Sequence, residues 1–357
     1  MAKVTEMNSN DNLLAGIAAV EAKESIPAGY TPIRLSTKGM VGAPALFHIR
    51  NFSTRDIMAL ALTGDEELPE RLVELLEELI YEDVDVMQFH EAEVIETMVR
   101  LYASFFSAQL EINFPVEESD LEYIQKEFPD SYQDKLEALR TGKWVPKTTI
   151  NLITDVSSYD IESTFKSTAR IRSHDTDFSA GFGLPRYGDM ITIKKWIADS
   201  YGEKEKRFAT VKKLIQLRDG MIERYEAGED VDLSRLPFVD PDAEHEYLAL
   251  QEKKAVELVD VIRALHLVSF EGKDVKNKSL EERVALVQDP RVDVTVAKKL
   301  NEYFDNLHFG LQPEVRMLNP LTGKHCTRRY SFRLLDLLQA VQLSKTDEYD
   351  IVFGDEC

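Results

Sequence analysis

The chain has 357 residues, 43% of them hydrophobic, with a formal charge of −21 from 64 acidic against 43 basic side chains and only two cysteines. That is enough apolar material for two or three domain-sized units. The charge argues against a nucleic-acid surface, which needs clustered Lys and Arg, and against adsorption to anionic membranes. Cys326 and Cys357 do not make a disulfide framework and fit a reducing compartment, and no run reads as a signal peptide or approaches the ~20 apolar residues of a membrane span.

Residues 1–30 read as an N-terminal arm: polar around Asn8–Asn12, then a weak Ala-rich helical stretch, frayed or ordered only on a partner. Residues 31–111 read as an extended segment followed by a helical block. Ile33 and Leu35 alternate with Arg34 and Ser36, and Phe47 and Ile49 flank His48, as half-buried strands require. Ser53 or Thr54 caps a helix carrying Ile57, Leu60 and Leu62. Pro69 suits the first turn of a second helix with an apolar stripe of Leu72, Leu75, Leu76, Leu79 and Ile80. Glu70, Glu74, Glu77, Glu78 and Glu82 share that segment and read as a solvated acidic face, with docking of a basic neighbour as the sharper alternative. A third helix is expected over about 89–110, with Tyr102, Phe105 and Phe106 facing inward.

Residues 112–182 read as a β-rich insertion. Ile112, Phe114 and Val116 alternate with polar neighbours, short helices fit 119–127 and 131–140, and TTINLITDV and FKSTARIRS alternate at period two. Residues 183–310 read as a helical domain, with a long helix over about 241–268, a capping box at Ser279 and Glu282, and a further helix from Val294 to Phe309. Residues 311–345 read as a terminal β-hairpin closed near Pro320–Gly323, then a short helix from Asp336 to Leu343, and 346–357 as an acidic tail. The expected fold class is α+β, mainly helical, with antiparallel β-hairpins inserted between helical blocks.

Candidate chemistry is sparse, and no catalytic, cofactor-binding or metal-ligating residues are assigned. AGFGLPRYG (180–188) contains GxG without the third glycine, and its flanks do not read as a strand-to-helix phosphate site; a shaped turn ahead of a helix is expected. His325 beside Cys326 is two soft ligands where zinc prefers four. Arg172, His174, Asp175 and Asp177 could support acid–base work but are also what a loop after a strand carries. Trp144 and Trp196 are candidate interface anchors or core residues.

The order of the segments resembles the baseplate hub family of T4-like contractile-tailed phages. LSTKGM (35–40) leads into FSTRDIMALA (52–61) and VIETMVRLYASFF (94–106). FGLPRYGDMITIKKWI (182–197), IRALHLVSFEG (262–272) and SLEERVALVQD (279–289) follow. VAKKLNEYFDNLHFG (296–310) then precedes EVRMLNPLTGKHCTRRYSFRLLDLL (314–338). The resemblance implies a structural virion protein, assembled in the host cytoplasm into the tail baseplate. Its contacts would be other hub and tail tube proteins, with strand edges and the N-terminal arm as contact elements and homo-oligomerisation left open. Relatives often carry paired cysteines in the last hairpin; here Cys326 stands alone, which leaves no metal knuckle. Two other readings stay open: a tail-assembly chaperone absent from the mature virion, and an enzyme whose site is assembled from distant residues.

Overall fold

The computed structural model describes residues 26–333, except 54, 57, 58, 61, 62, 65, 66, 162–164, 173–177 and 293, together with 337. The arm up to residue 25, the acid–base candidates His174, Asp175 and Asp177, the short helix expected at 336–343 except Leu337, and the acidic tail lie outside the described residues. The described residues form nine α-helices and four small antiparallel sheets, the mainly helical α+β class that the sequence implies.

The apolar alternation before residue 50 closes into a hairpin. β1 (Tyr30–Arg34) pairs with β2 (Leu46–Arg50), placing Ile33 opposite Phe47, and both are buried with Ile49. Ser53 opens the next segment as expected: its Oγ accepts from the Asp56 N–H at 3.2 Å while the Asp56 carboxylate accepts from the Ser53 N–H at 2.8 Å. Thr54, Ile57 and Leu62 of that expected helix lie outside the described residues.

Helix α1 (Leu68–Leu79) has Pro69 in its first turn and buries Leu72, Val73, Leu75, Leu76 and Leu79. Each such side chain contributes about 1.5–3 kcal/mol of burial energy. A 3-10 turn (Val86–Gln88) leads to α2 (Glu91–Phe105), which starts at a capping box made by His90 and Glu93. The helix expected to continue to residue 110 stops at Phe106, and Leu110 lies in β3 (Gln109–Asn113), where its side chain reaches the core without a further helical turn. After α3 (Glu118–Glu127) and α4 (Tyr132–Arg140), β4 (Lys147–Asn151) returns to pair with β3.

A second core follows. β5 (Thr168–Arg172) and β6 (Ser179–Gly183) pair, and β6 runs through Leu184–Arg186 into α5 (Tyr187–Arg207). Then come α6 (Ala209–Glu226) and α7 (Pro241–His266). The helix expected to reach residue 268 ends at His266. Leu267–Phe270 is instead β7, which pairs with β6 on one side and with β8 (Lys273–Asp274) on the other. Glu271 and Gly272 connect β7 to β8 with φ of 48° and 78°, the two positive values that a tight two-residue hairpin turn demands. Helices α8 (Leu280–Val287), opening on the expected Ser279–Glu282 box, and α9 (Val294–Asp305) close this core around Phe178, Phe182, Leu267 and Leu300.

The span 112–182 therefore does not hold together as one β-rich unit. β3 and β4 pack in the first core, whereas β5 and β6 share a four-stranded sheet with β7 and β8 in the second. Nor is 183–310 purely helical, because it supplies β7 and β8. The chain then returns to the first core through the hairpin β9 (Glu314–Leu318) and β10 (His325–Arg329), which buries Val315 and Met317.

Helices α5, α6 and α7 form a layer with little apolar interior. No residue of α6 is buried, and α7 buries only Val261 and Ala264. Polar pairs hold the layer instead. Arg218 grips the Glu244 carboxylate through two nitrogens at 2.9 and 2.8 Å, Lys254 donates to Glu205 at 2.5 Å, and the Tyr201 hydroxyl donates to Glu257 at 2.6 Å.

Candidate functional site

The residues singled out in the sequence do not converge. His325 and Cys326 are consecutive on β10, so their side chains leave opposite faces; His325 is exposed and Cys326 sits half-buried at the edge of the first core. Burial pushes the Cys326 thiol above its ordinary range. Among the described residues, no group of three or more His, Cys, Asp or Glu could hold a metal ion. Tyr102 is buried and Phe105 and Phe106 pack against the same core, so this cluster is interior. Trp144 lies half-buried beside α4 with the Lys135 ammonium 5.0 Å from its ring, and Trp196 packs its ring against Tyr201.

The acidic run on α1 and just after it is partly structural. Glu77 accepts from the Val86 N–H at 3.2 Å, and Glu82 accepts from the His48 N–H at 2.7 Å and contacts its Nδ1 at 2.6 Å. Burial pushes Glu82 up, but the contacts from His48 outweigh it and hold its carboxyl below the usual range. Glu74 and Glu78 remain exposed.

Two buried carboxylates on α2 hold the LSTKGM loop. Glu93 accepts from the Thr37 hydroxyl at 2.6 Å and from the N–H groups of Gly42, Ala43 and His90 at 3.1, 3.0 and 2.9 Å. Glu96 accepts from the Ser36 hydroxyl at 2.7 Å and from Arg100. Across the first core, buried Asp120 accepts from Asn319 Nδ2 at 2.7 Å and from the Arg328 guanidinium at 3.1 Å, tying α3 to the last hairpin.

The segment 180–188 makes the expected turn ahead of a helix, Leu184–Arg186 before α5, and the residues before that turn are the strand β6. Its glycines serve close packing: a Cβ at Gly181 would overlap the Ser269 side chain, and one at Gly188 would lie 2.8 Å from Met87. Around it the two cores meet. The Tyr187 N–H donates to the Phe89 carbonyl at 2.6 Å, and Arg186 donates to the Gln88 side chain. Asp189 accepts from the Arg186 N–H at 2.8 Å and lies 3.8 Å from His266 Nε2. Burial lowers His90 to about 4, with His266 adding to the effect, and burial likewise lowers His266 against the pull of Asp189. Arg186, Lys276 and Arg283 line this junction from three separate segments, and no local pattern in the sequence announces them.

Among the described residues, several of the exposed large apolar side chains lie on the helical layer. Phe238, in the connection between α6 and α7, is 82% exposed; Leu217 and Val256 are each 61% exposed. Leu248, Ala255, Val256 and Val259 are all exposed on α7, and spacings of seven and four put 248, 255 and 259 on one face. Comparison of the chain with protein-family models, curated proteins and solved structures found no match in any of the three. No helix among the described residues is long and apolar enough to cross a membrane.

Proposed function

We propose that the chain is a structural component of a phage tail baseplate hub and acts through protein–protein contacts in virion assembly, with other hub and tail tube proteins as partners. The observation that carries this reading is the set of exposed apolar side chains, Leu248, Val256 and Val259 on α7 with Phe238 and Leu217 elsewhere on the same helical layer, which has almost no buried core of its own. Clustered apolar surface rimmed by charge is the anatomy of a binding face, whereas singly scattered apolar residues need no explanation. The order of segments resembling the hub family supplies the assembly in which such a face would be used.

The test is a phage carrying Phe238→Ser, Leu248→Ser and Val256→Ser in this chain. Mass spectrometry of purified particles should find the wild-type chain in the virion and the variant excluded, while the purified variant keeps its thermal melt. Normal incorporation of the variant would reject this contact face. Absence of the wild-type chain from infectious particles would reject the hub role and favour the assembly chaperone.

A further inference from the structure

We propose that the cleft between the β6–α5 connection, the end of α7 and α8 is a binding site for a phosphate-class oxyanion, either inorganic phosphate or the phosphate of a small monoester. The cleft has two lobes of about 220 and 150 Å3 that share Gln88, Arg186, Val268 and Lys276. The larger lobe holds a phosphate group with its waters and the smaller leaves room for a short alcohol substituent.

Three cationic side chains reach it from separate parts of the chain: Arg186 ahead of α5, Lys276 after β8 and Arg283 on α8. Asp189 is the one acidic residue among those lining either lobe, so the lining carries a net excess of two positive charges within a chain of formal charge −21. Asp189 is itself engaged as a helix cap, accepting from the Arg186 N–H.

Arg283 is the decisive residue. Its Nε is buried and has no partner among the described residues, and its Nη1 reaches only the Leu265 carbonyl at 3.4 Å. Burial and the neighbouring Arg186 charge both depress its protonated form, with Asp189 opposing. A buried guanidinium nitrogen without an acceptor is costly, and so is a second guanidinium near it; an oxyanion between them removes both costs. Guanidinium forks match the oxygen spacing of phosphate, and the Lys276 ammonium adds a point charge. Lys276 is exposed and makes no ion pair with any described residue, so it is available for this contact.

The test is isothermal titration of the full chain with inorganic phosphate and, separately, with glycerol phosphate, at constant ionic strength with chloride as the competing anion. Wild type is compared with Lys276→Met, whose exposed position leaves the core untouched, and with Arg283→Met. Saturable binding, weakened about tenfold or more in each folded variant, is expected for loss of one charge-assisted contact. Phosphate bound as well as or better than the ester assigns the free anion; preference for glycerol phosphate assigns the monoester. No saturable binding of either probe up to about 10 mM, or equal binding by wild type and Lys276→Met, would overturn the proposal.

Discussion

Replacing Glu93 by Gln is the sharpest probe of how the first core is held together. The carboxylate has no exposed surface and faces four donors: the Thr37 hydroxyl and the N–H groups of Gly42, Ala43 and His90. A buried ion pair can often be exchanged for apolar groups at little cost, because both partners are removed together. Here three of the donors are backbone and cannot be removed. Gln keeps the shape and one acceptor oxygen, which can serve the three N–H groups, while its NH2 faces Thr37, whose hydroxyl can rotate to accept. What disappears is the charge. Hydrogen bonds to a charged acceptor are worth about 1.5–3 kcal/mol and neutral ones about 0.5–1.5 kcal/mol, so about 1 kcal/mol is lost per bond. Over four bonds, and after subtracting the relieved desolvation of the carboxylate, the net loss should be about 2–3 kcal/mol. Urea unfolding followed by circular dichroism measures the total. Amide hydrogen exchange at Gly42 and Ala43 measures it locally, as a rise of about 30-fold or more if the loop opens by itself. A loss below about 0.5 kcal/mol with unchanged exchange at both amides would show that the carboxylate does not anchor this loop. Glu74→Gln, on the exposed side of α1, is the control and should cost less than about 0.5 kcal/mol.

Three further outcomes are expected. His90 is held neutral by burial, with its pKa lowered from 6.5 to about 4, so the unfolded chain takes up the proton first as pH falls; stability is fully present above 6.5 and falls toward pH 4 by up to about 1.4 kcal/mol per unit from this group. His90→Asn keeps an N-cap acceptor and should flatten that slope in urea midpoints taken at pH 7 and pH 5, leaving a residual slope from His266; an unchanged slope would remove His90 as its source. Asn319→Ala deletes the bond to Asp120 at 2.7 Å and the acceptor for the Leu321 N–H at 2.9 Å, with Asn319 itself buried; with Arg328 still on Asp120 the loss in urea unfolding should be about 2 kcal/mol, and a neutral result would mean that Asn319 does not help to hold the hairpin. Phe238→Ser should change unfolding stability by less than about 0.5 kcal/mol, since the side chain is 82% exposed; a larger loss would place that ring in the fold and not on a contact surface.

The elements that the sequence revealed are those whose cause is local. The leucine stripe of α1, the Ser279–Glu282 cap of α8 and the alternation in β9 and β10 each lie within a dozen residues, and each formed where its pattern pointed. The misread elements depend on distant partners. LVSF follows a long helix and continues its apolar character, so only pairing with β6 some 85 residues earlier decides that it is a strand; the Glu271–Gly272 turn is the one local sign. The 112–182 span has strand-like stretches throughout, but which sheet each joins is settled by partners elsewhere. Glu93 and Glu96 look like ordinary acids on a helix, because the loop that buries them lies 50 to 60 residues before them. Arg186, Lys276 and Arg283 share no spacing at all.

The charge of the chain is unevenly placed, and this bears on how its contact face would work. Asp56, Glu93, Glu96 and Asp120 are buried and serve as acceptors for loops and hairpins, so they add nothing to the field that a partner meets. The helical layer is different. Its own elements are joined by ion pairs, and on α7 the exposed Glu252 lies between Leu248 and Val256 on the helix surface, so the exposed apolar face carries an acid within it. Apolar area at the centre supplies binding energy on desolvation, while charges at the rim govern approach and partner choice more than affinity. A layer held by polar contacts has little to lose from burying its outer face and much apolar surface to gain by it. On the proposed reading, the partner of this face would present an apolar strip with a basic side chain set to meet Glu252.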